Sequence, residues 1–130
     1  MTQILVVDDS PTIRRMVRAS LARFFPTVEF LEAGSGLEAI ERLAVGTIGL
    51  IVLDLNMPDM HGLEVLKFVR SHDKYRDVPI AVLTTRGDES SRSAALQAGA
   101  SMYLTKPFSP DTLARDVRKL LGGDELTATA

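Results

Sequence analysis

Apolar residues cluster in five short blocks separated by longer stretches in which they recur every three or four positions. The blocks run from Gln3 to Val7, Val28 to Glu32, Gly49 to Leu53, Ile80 to Leu83 and Ser101 to Leu104. Three of them, ILVV, LIVL and IAVL, are almost uninterrupted, the mark of strands buried on both faces, as in parallel sheets. The intervening stretches have helical spacing. Ser10 is placed to cap a first helix with Pro11 at its first position, and Ile13, Met16, Val17, Leu21 and Phe24 form its apolar stripe. Arg14, Arg15 and Arg18 stand off that stripe as a solvated face. Ser35 and Glu38 read as a capping box opening a second helix, with Leu37, Ile40 and Leu43 turned inward. Leu63, Val65, Leu66 and Val69 mark a third. A fourth, around Glu89 to Ala98, is rich in serine and alanine and has little bulk to bury. Leu113, Val117, Leu120 and Leu121 make a fifth, ending at Gly122-Gly123.

Five alternations of strand and helix predict an α/β fold, an open parallel sheet with helices on both faces. In such sheets ligands gather beyond the carboxyl ends of the strands. The first strand ends in Asp8-Asp9, the third in Asp54, the fourth in Thr84-Thr85 and the fifth in Lys106. One rim therefore receives three carboxylates, two hydroxyls and an amine. Crowded carboxylates raise one another's pKa unless a cation compensates. Oxygen ligands without histidine or cysteine suit a hard cation, Mg²⁺ above all. A carboxylate can also act as a nucleophile and form an aspartyl phosphate, and phosphoryl transfer mainly needs positioning and charge neutralisation. Asp54 is the preferred nucleophile, a single acid held by the most central apolar run.

Composition narrows the picture without redirecting it. The 130 residues suffice for one domain with a real core. A net charge of −2 gives no bulk reason to expect nucleic-acid or membrane binding. The absence of cysteine excludes disulfides, thiolate metal sites and thiol nucleophiles, and fits a reducing cytoplasm. The start, MTQILVVDD, resembles neither a signal peptide nor a membrane span. His61 and His72 have no metal-ligand partner at helical spacing and are expected to be solvated.

At these residues the sequence resembles the receiver domain of two-component response regulators, the CheY-like family. VVDDS after the first strand, LDLNMPDMHG after the third, LTT after the fourth and YLTKPF after the fifth are each weak, but specific in this order and at these strand ends. The resemblance covers residues 3 to about 121 and implies a flavodoxin-like doubly wound (βα)5 fold with strand order 2-1-3-4-5. It implies a receiver domain over 1–121; Gly122 to Ala130 lack apolar periodicity and are expected to form a flexible tail. It implies that Asp54 is the phosphoacceptor, that Asp9 binds the metal directly and Asp8 mostly through water, and that the backbone carbonyl of Asn56 completes the site. Mg²⁺ is the expected cofactor, with Mn²⁺ as a substitute. Lys106 is expected to pair with the phosphoryl group, Thr84 to supply the hydroxyl that moves toward it, and Tyr103 to be the aromatic switch residue. The Lys106-Pro107 bond is expected to be cis, and Gly62 to serve a structural role after the Met-Pro turn. Thr85, bulkier than the alanine or glycine frequent there, and Arg86 depart from the pattern beside the pocket. Asp59 and His61 depart from the common turn sequence.

The expected partners are a histidine kinase or histidine phosphotransfer protein and a downstream protein target, with no direct contact to nucleic acid, no membrane insertion and a cytoplasmic location. The arginines of the first helix could meet an acidic kinase surface. The chain is expected to be a single-domain regulator, with a receiver cut from a longer DNA-binding regulator as the alternative, and no enzyme beyond its own phosphotransfer and dephosphorylation. Two other readings compete. An aspartate-nucleophile phosphatase would carry an Asp-x-Asp pair and a cap, and here the pair is adjacent, Asp8-Asp9, with no length for a cap. A phosphorylation-independent interaction module would have a broken pocket, and no key position is missing.

Overall fold

The computed structural model describes residues 3–121, so the expectation for 122–130 lies outside the described residues. The chain alternates β1 (Gln3–Val7), α1 (Pro11–Ala22), β2 (Glu29–Ala33), α2 (Gly36–Val45), β3 (Ile48–Leu53), α3 (Gly62–Ser71), β4 (Ile80–Thr84), α4 (Glu89–Gln97), β5 (Met102–Thr105) and α5 (Pro110–Leu120). The strands pair in parallel in the order β2-β1-β3-β4-β5, the flavodoxin-like arrangement expected from the sequence.

Successive side chains of a strand point to opposite faces, and the sheet uses both. Leu5 and Val7 of β1 join Ile51 and Leu53 of β3 and Val82 of β4 on one side, under Ala39 and Leu43 of α2, Val65, Leu66 and Val69 of α3 and Ala95 of α4. Ile4 and Val6 join Leu50, Val52 and Leu83 on the other, under Val17 and Leu21 of α1, Phe25, and Leu113, Ala114 and Val117 of α5. Each fully buried large apolar side chain contributes about 1.5–3 kcal/mol, so these two layers hold the central strands rigidly.

The caps follow the sequence. Ser10 Oγ accepts from the Ile13 amide at 3.2 Å with Pro11 at the first helical position. Ser35 Oγ accepts from the Glu38 amide at 3.1 Å, while the Glu38 carboxylate turns back to the Gly34 amide, one residue short of the expected box partner, at 2.7 Å. Three expectations are corrected. Met16 and Leu37 are 47% and 58% exposed rather than inward-facing. On α1 the sheet-facing arc is filled by Val17, Ser20 and Leu21, and Ser20 is tolerated there because its hydroxyl donates to the Met16 carbonyl at 2.7 Å. On α2 that arc belongs to Gly36, Ala39 and Leu43, with Gly36 pressed so close to Met60 that a Cβ would come within 2.7 Å of it. His61 is half-buried rather than solvated, whereas His72 is exposed as expected. His61 caps α3, its Nδ1 accepting from the Leu63 amide at 3.1 Å, and His72 stacks on Tyr75 with ring centroids 4.6 Å apart.

Strands β4 and β5 each reach one residue further than the apolar pattern predicts. Thr84 and Thr105 pair across them, which carries the ladder to the rim. Among the described residues no helix is long and apolar enough to cross a membrane.

Candidate functional site

The polar rim forms because backbone pairing continues just beyond the apolar strands. The Asp8 amide donates to Ala33 carbonyl at 3.1 Å, the Asp54 amide to Val7 carbonyl at 2.9 Å and the Lys106 amide to Thr84 carbonyl at 2.8 Å. Each bond fixes the start of a loop and aims its first side chain into one hollow. Asp8 and Asp54 are 3% and 5% exposed, and Asp9 is exposed at the mouth. One carboxylate oxygen from each of the three lies within 4.8 Å of the others.

Lys106 Nζ reaches into the cluster, 2.7 Å from Asp8 Oδ2 and 3.6 Å from Asp54 Oδ2. Its ammonium is the cation that the described structure sets against three carboxylates. The other oxygen of Asp8 accepts from the Ser10 amide at 2.9 Å, and Asp54 Oδ1 from the Asn56 amide at 3.3 Å. Burial pushes the Asp54 carboxyl above its ordinary value; Lys106 pulls it down, Asp8 pushes it up again, and the Asn56 amide and Thr84 hydroxyl oppose them weakly. A buried acid held up in this way gains from any further positive charge.

Thr84 is fully buried at the end of β4. Its Oγ1 accepts from Asn56 Nδ2 and from the Arg86 amide, both at 3.4 Å. Tyr103 is half-buried on β5, and its hydroxyl donates to the Arg86 carbonyl. Burial and then Asp88 push its phenol up. The backbone of residue 86 thus touches both side chains expected to act as the switch. The Lys106-Pro107 peptide is cis. Gly62 opens α3 directly beneath the site: its amide donates to Leu55 carbonyl at 2.9 Å, and a Cβ there would lie 2.6 Å from both the Asp54 carbonyl oxygen and Leu55 Cα.

Asp8, Asp9, Asp54, Asn56, Thr84 and Lys106 therefore stand at this hollow, with Gly62 packed against the backbone of Asp54 and Tyr103 linked to it through Arg86. Three supports were not anticipated. Arg14, read as solvated, donates to the Asp8 carbonyl at 2.6 Å and to Glu32 Oε1 at 2.9 Å, tying the acidic loop to β2. Glu32 is held below its ordinary carboxylate value chiefly by that bond, against burial, with help from Arg18. Asp59 accepts from the Gly36 and Leu37 amides, both at 3.2 Å, and so caps α2 from the loop that follows Asp54. Its position in the turn was visible in the sequence; its partner 23 residues away was not.

The donor set is oxygen-only, anionic in excess and partly open to solvent through Asp9, which fits a hard divalent cation. Comparison with known proteins agrees with that chemistry. The family model for the response regulator receiver domain matches residues 4–118. The chain belongs to that family. This receiver domain is 39% identical to the chemotaxis protein CheY1 of Helicobacter pylori over 124 residues, 95% of this chain and 99% of that protein. It superposes on the chemotaxis response regulator CheY4 of Vibrio cholerae with a TM-score of 0.84 at 35% identity, covering 92% of this chain and 98% of the other. The Mn²⁺-bound form of response regulator Rcp1 matches with a TM-score of 0.77 at 30% identity, covering 91% and 90%. The chain is thus a CheY-like receiver domain of two-component signalling. Receiver domains bind a divalent metal at an acidic pocket, here the cluster of Asp8, Asp9 and Asp54.

Proposed function

We propose that this protein is a phosphorylation-activated response regulator whose residues 1–121 form the receiver and whose phosphoacceptor is Asp54. A carboxylate oxygen of Asp54 attacks the phosphorus of a phosphohistidine on a histidine kinase or phosphotransfer protein. The P–N bond breaks, the histidine nitrogen leaves with the bonding pair and takes up a proton, and an aspartyl phosphate remains. The observation that carries this reading is the Lys106 ammonium poised between Asp8 and Asp54, 2.7 and 3.6 Å from their oxygens. It can follow the transferred group without leaving the pocket. Mg²⁺, or Mn²⁺ in its place, held by Asp8, Asp9, Asp54 and the Asn56 carbonyl, supplies the charge neutralisation that transfer to an anionic pocket requires.

The aspartyl phosphate carries about −2 charge. Lys106 shifts its pairing from Asp8 toward the phosphoryl oxygens, and the Thr84 hydroxyl turns to donate to them. Thr84 and Tyr103 both engage the backbone of Arg86, so displacing one releases the other. The surface of α4, β5 and α5 changes in consequence, and a downstream protein reads it. Helix α4 buries only Ala95, so its movement sacrifices little packing. The chemistry is confined to the chain's own phosphotransfer and dephosphorylation, in the cytoplasm, without nucleic-acid contact.

The test is incubation with a small phosphodonor, acetyl phosphate or phosphoramidate, with and without Mg²⁺, followed by intact mass. A single metal-dependent phosphoryl adduct, absent from Asp54→Asn, is expected. An adduct that persists in that variant, or none in the parent, overturns the assignment, and phosphomonoester turnover dependent on Asp8 would favour a phosphatase instead.

A further inference from the structure

Residues 10–27 contain four arginines and no acid, in a chain whose net charge is −2. Arg14 and Arg18 are engaged by Glu32. Arg23 is not: among the described residues no carboxylate lies within ion-pair distance of it or of Arg118 on α5. Both guanidiniums instead lie against the Phe24 ring, their carbons 5.7 and 5.9 Å from its centroid. A guanidinium held against an aromatic ring keeps its N–H edge free for a planar acceptor.

Beside Phe24 the surface is hollowed to about 340 Å³, lined by Asp111, Ala114, Arg115 and Arg118. Ala114, buried against the core, contributes only a methyl group to its floor. Asp111, Ala114 or Arg115, and Arg118 recur every three or four residues, so the hollow runs along two turns of α5. Among the described residues Arg115 makes one long ion pair, Arg115 Nε to Asp116 Oδ1 at 3.8 Å. The groove is thus apolar at its floor, and its rim carries the arginines Arg115 and Arg118 with one acid, Asp111. It lies on the α5 face turned toward α1. Arg23, the C-cap of α1, is about 18 Å of helix away from the Asp54 rim.

We propose that this α1–α5 groove is a docking site for an acidic amphipathic peptide segment of a partner protein. One apolar side chain enters beside Phe24 and Ala114, and carboxylates pair with Arg23, Arg115 and Arg118. Charge complementarity selects this occupant. A nucleic acid or an anionic membrane presents a broad negative surface to a molecule that is itself net anionic, whereas a short acidic helix meets three arginines against the single acid Asp111. Carboxylates also match the forked guanidinium geometry that the Phe24 contacts leave open.

The probe is a fluorescein-labelled helix-forming peptide in which glutamates flank one leucine, with a glutamine-for-glutamate analogue as control. Fluorescence anisotropy on the full chain should show saturable binding that weakens with salt and falls about tenfold or more in the Arg23→Gln/Arg118→Gln variant. Amide shift changes should centre on Phe24, Ala114 and Arg118. Both arginines lie outside the phosphorylation pocket, so phosphoryl uptake on Asp54 checks that the variant is folded. Absence of saturable binding, equal affinity for the glutamine analogue, or equal binding by the variant overturns the proposal. So does preferential binding of the protein to phosphatidylserine vesicles, or self-association lost in the same variant.

Discussion

Replacing Asp54 by asparagine removes a charge while keeping the shape of the side chain, and the structure fixes the sign of its effect on stability. The Lys106 ammonium stands 3.6 Å from the Asp54 carboxylate, an attraction of about 4–5 kcal/mol at an effective dielectric of 20. Asp8 opposes it from within 4.8 Å, a repulsion of at least about 3–4 kcal/mol on the same scale. The two nearly cancel, and Lys106 keeps its shorter contact with Asp8 in the variant. What remains is the cost of holding an ion at 5% exposure, which agrees with the upward displacement of the Asp54 carboxyl. A carboxyl raised in the folded state destabilises the fold where it is ionised, above its folded pKa, and the penalty disappears as pH falls toward the unfolded value near 3.8. Asp54→Asn is therefore expected to stabilise the metal-free protein at neutral pH by roughly 1–2 kcal/mol, a rise in Tm of about 3–8 °C for a domain of this size. The measurement is thermal unfolding by circular dichroism in chelator between pH 7 and pH 4. The difference should shrink with falling pH, and added Mg²⁺ should raise the parent's Tm more than the variant's. A variant that melts below the parent in chelator at neutral pH, or a gain independent of pH, would refute the electrostatic reasoning.

Further expectations concern the supports of the pocket. Lys106→Met leaves Asp8 and Asp54 without their ammonium, so Mg²⁺ measured by calorimetry should bind more tightly while the rate of phosphoryl uptake falls; weaker binding would show that Lys106 helps to hold the cation. Gly62→Ala drives a methyl into the Asp54 carbonyl and Leu55 Cα, both backbone, and should cost about 1–3 kcal/mol in urea unfolding while slowing phosphorylation; a neutral result would mean that α3 shifts freely. Glu32→Gln weakens the Arg14 link and should cost a few tenths of a kcal/mol, the pair being partly exposed. Because the Glu32 carboxyl is depressed, that contribution should be present above its ordinary value near 4.5 and vanish as pH falls through the lower folded value; a loss that persists in acid would point to packing instead.

The sequence by itself determined the five strands, their parallel arrangement and the identity of the rim. Runs such as LIVL have no polar face and can only be buried on both sides, and the residue that ends each run must then stand at the sheet's carboxyl edge. That is why Asp8, Asp54, Thr84 and Lys106 could be named in advance, with chemistry that already pointed to a cation and a phosphoryl group. Tertiary structure decided what depends on partners distant in the chain. Periodicity placed Met16 and Leu37 inside because it registers apolarity every third or fourth residue, whereas the width of the buried arc is set by how closely each helix approaches the sheet, as Ser20 and Gly36 show. Arg14 was one more charge on a helix until folding brought Glu32 and the Asp8 carbonyl to it, and Asp59 one more turn residue until the N-terminus of α2 arrived above it. Local pattern reports how much of a residue must be hidden; only three-dimensional proximity supplies the donor or acceptor that lets a charge work where it lands.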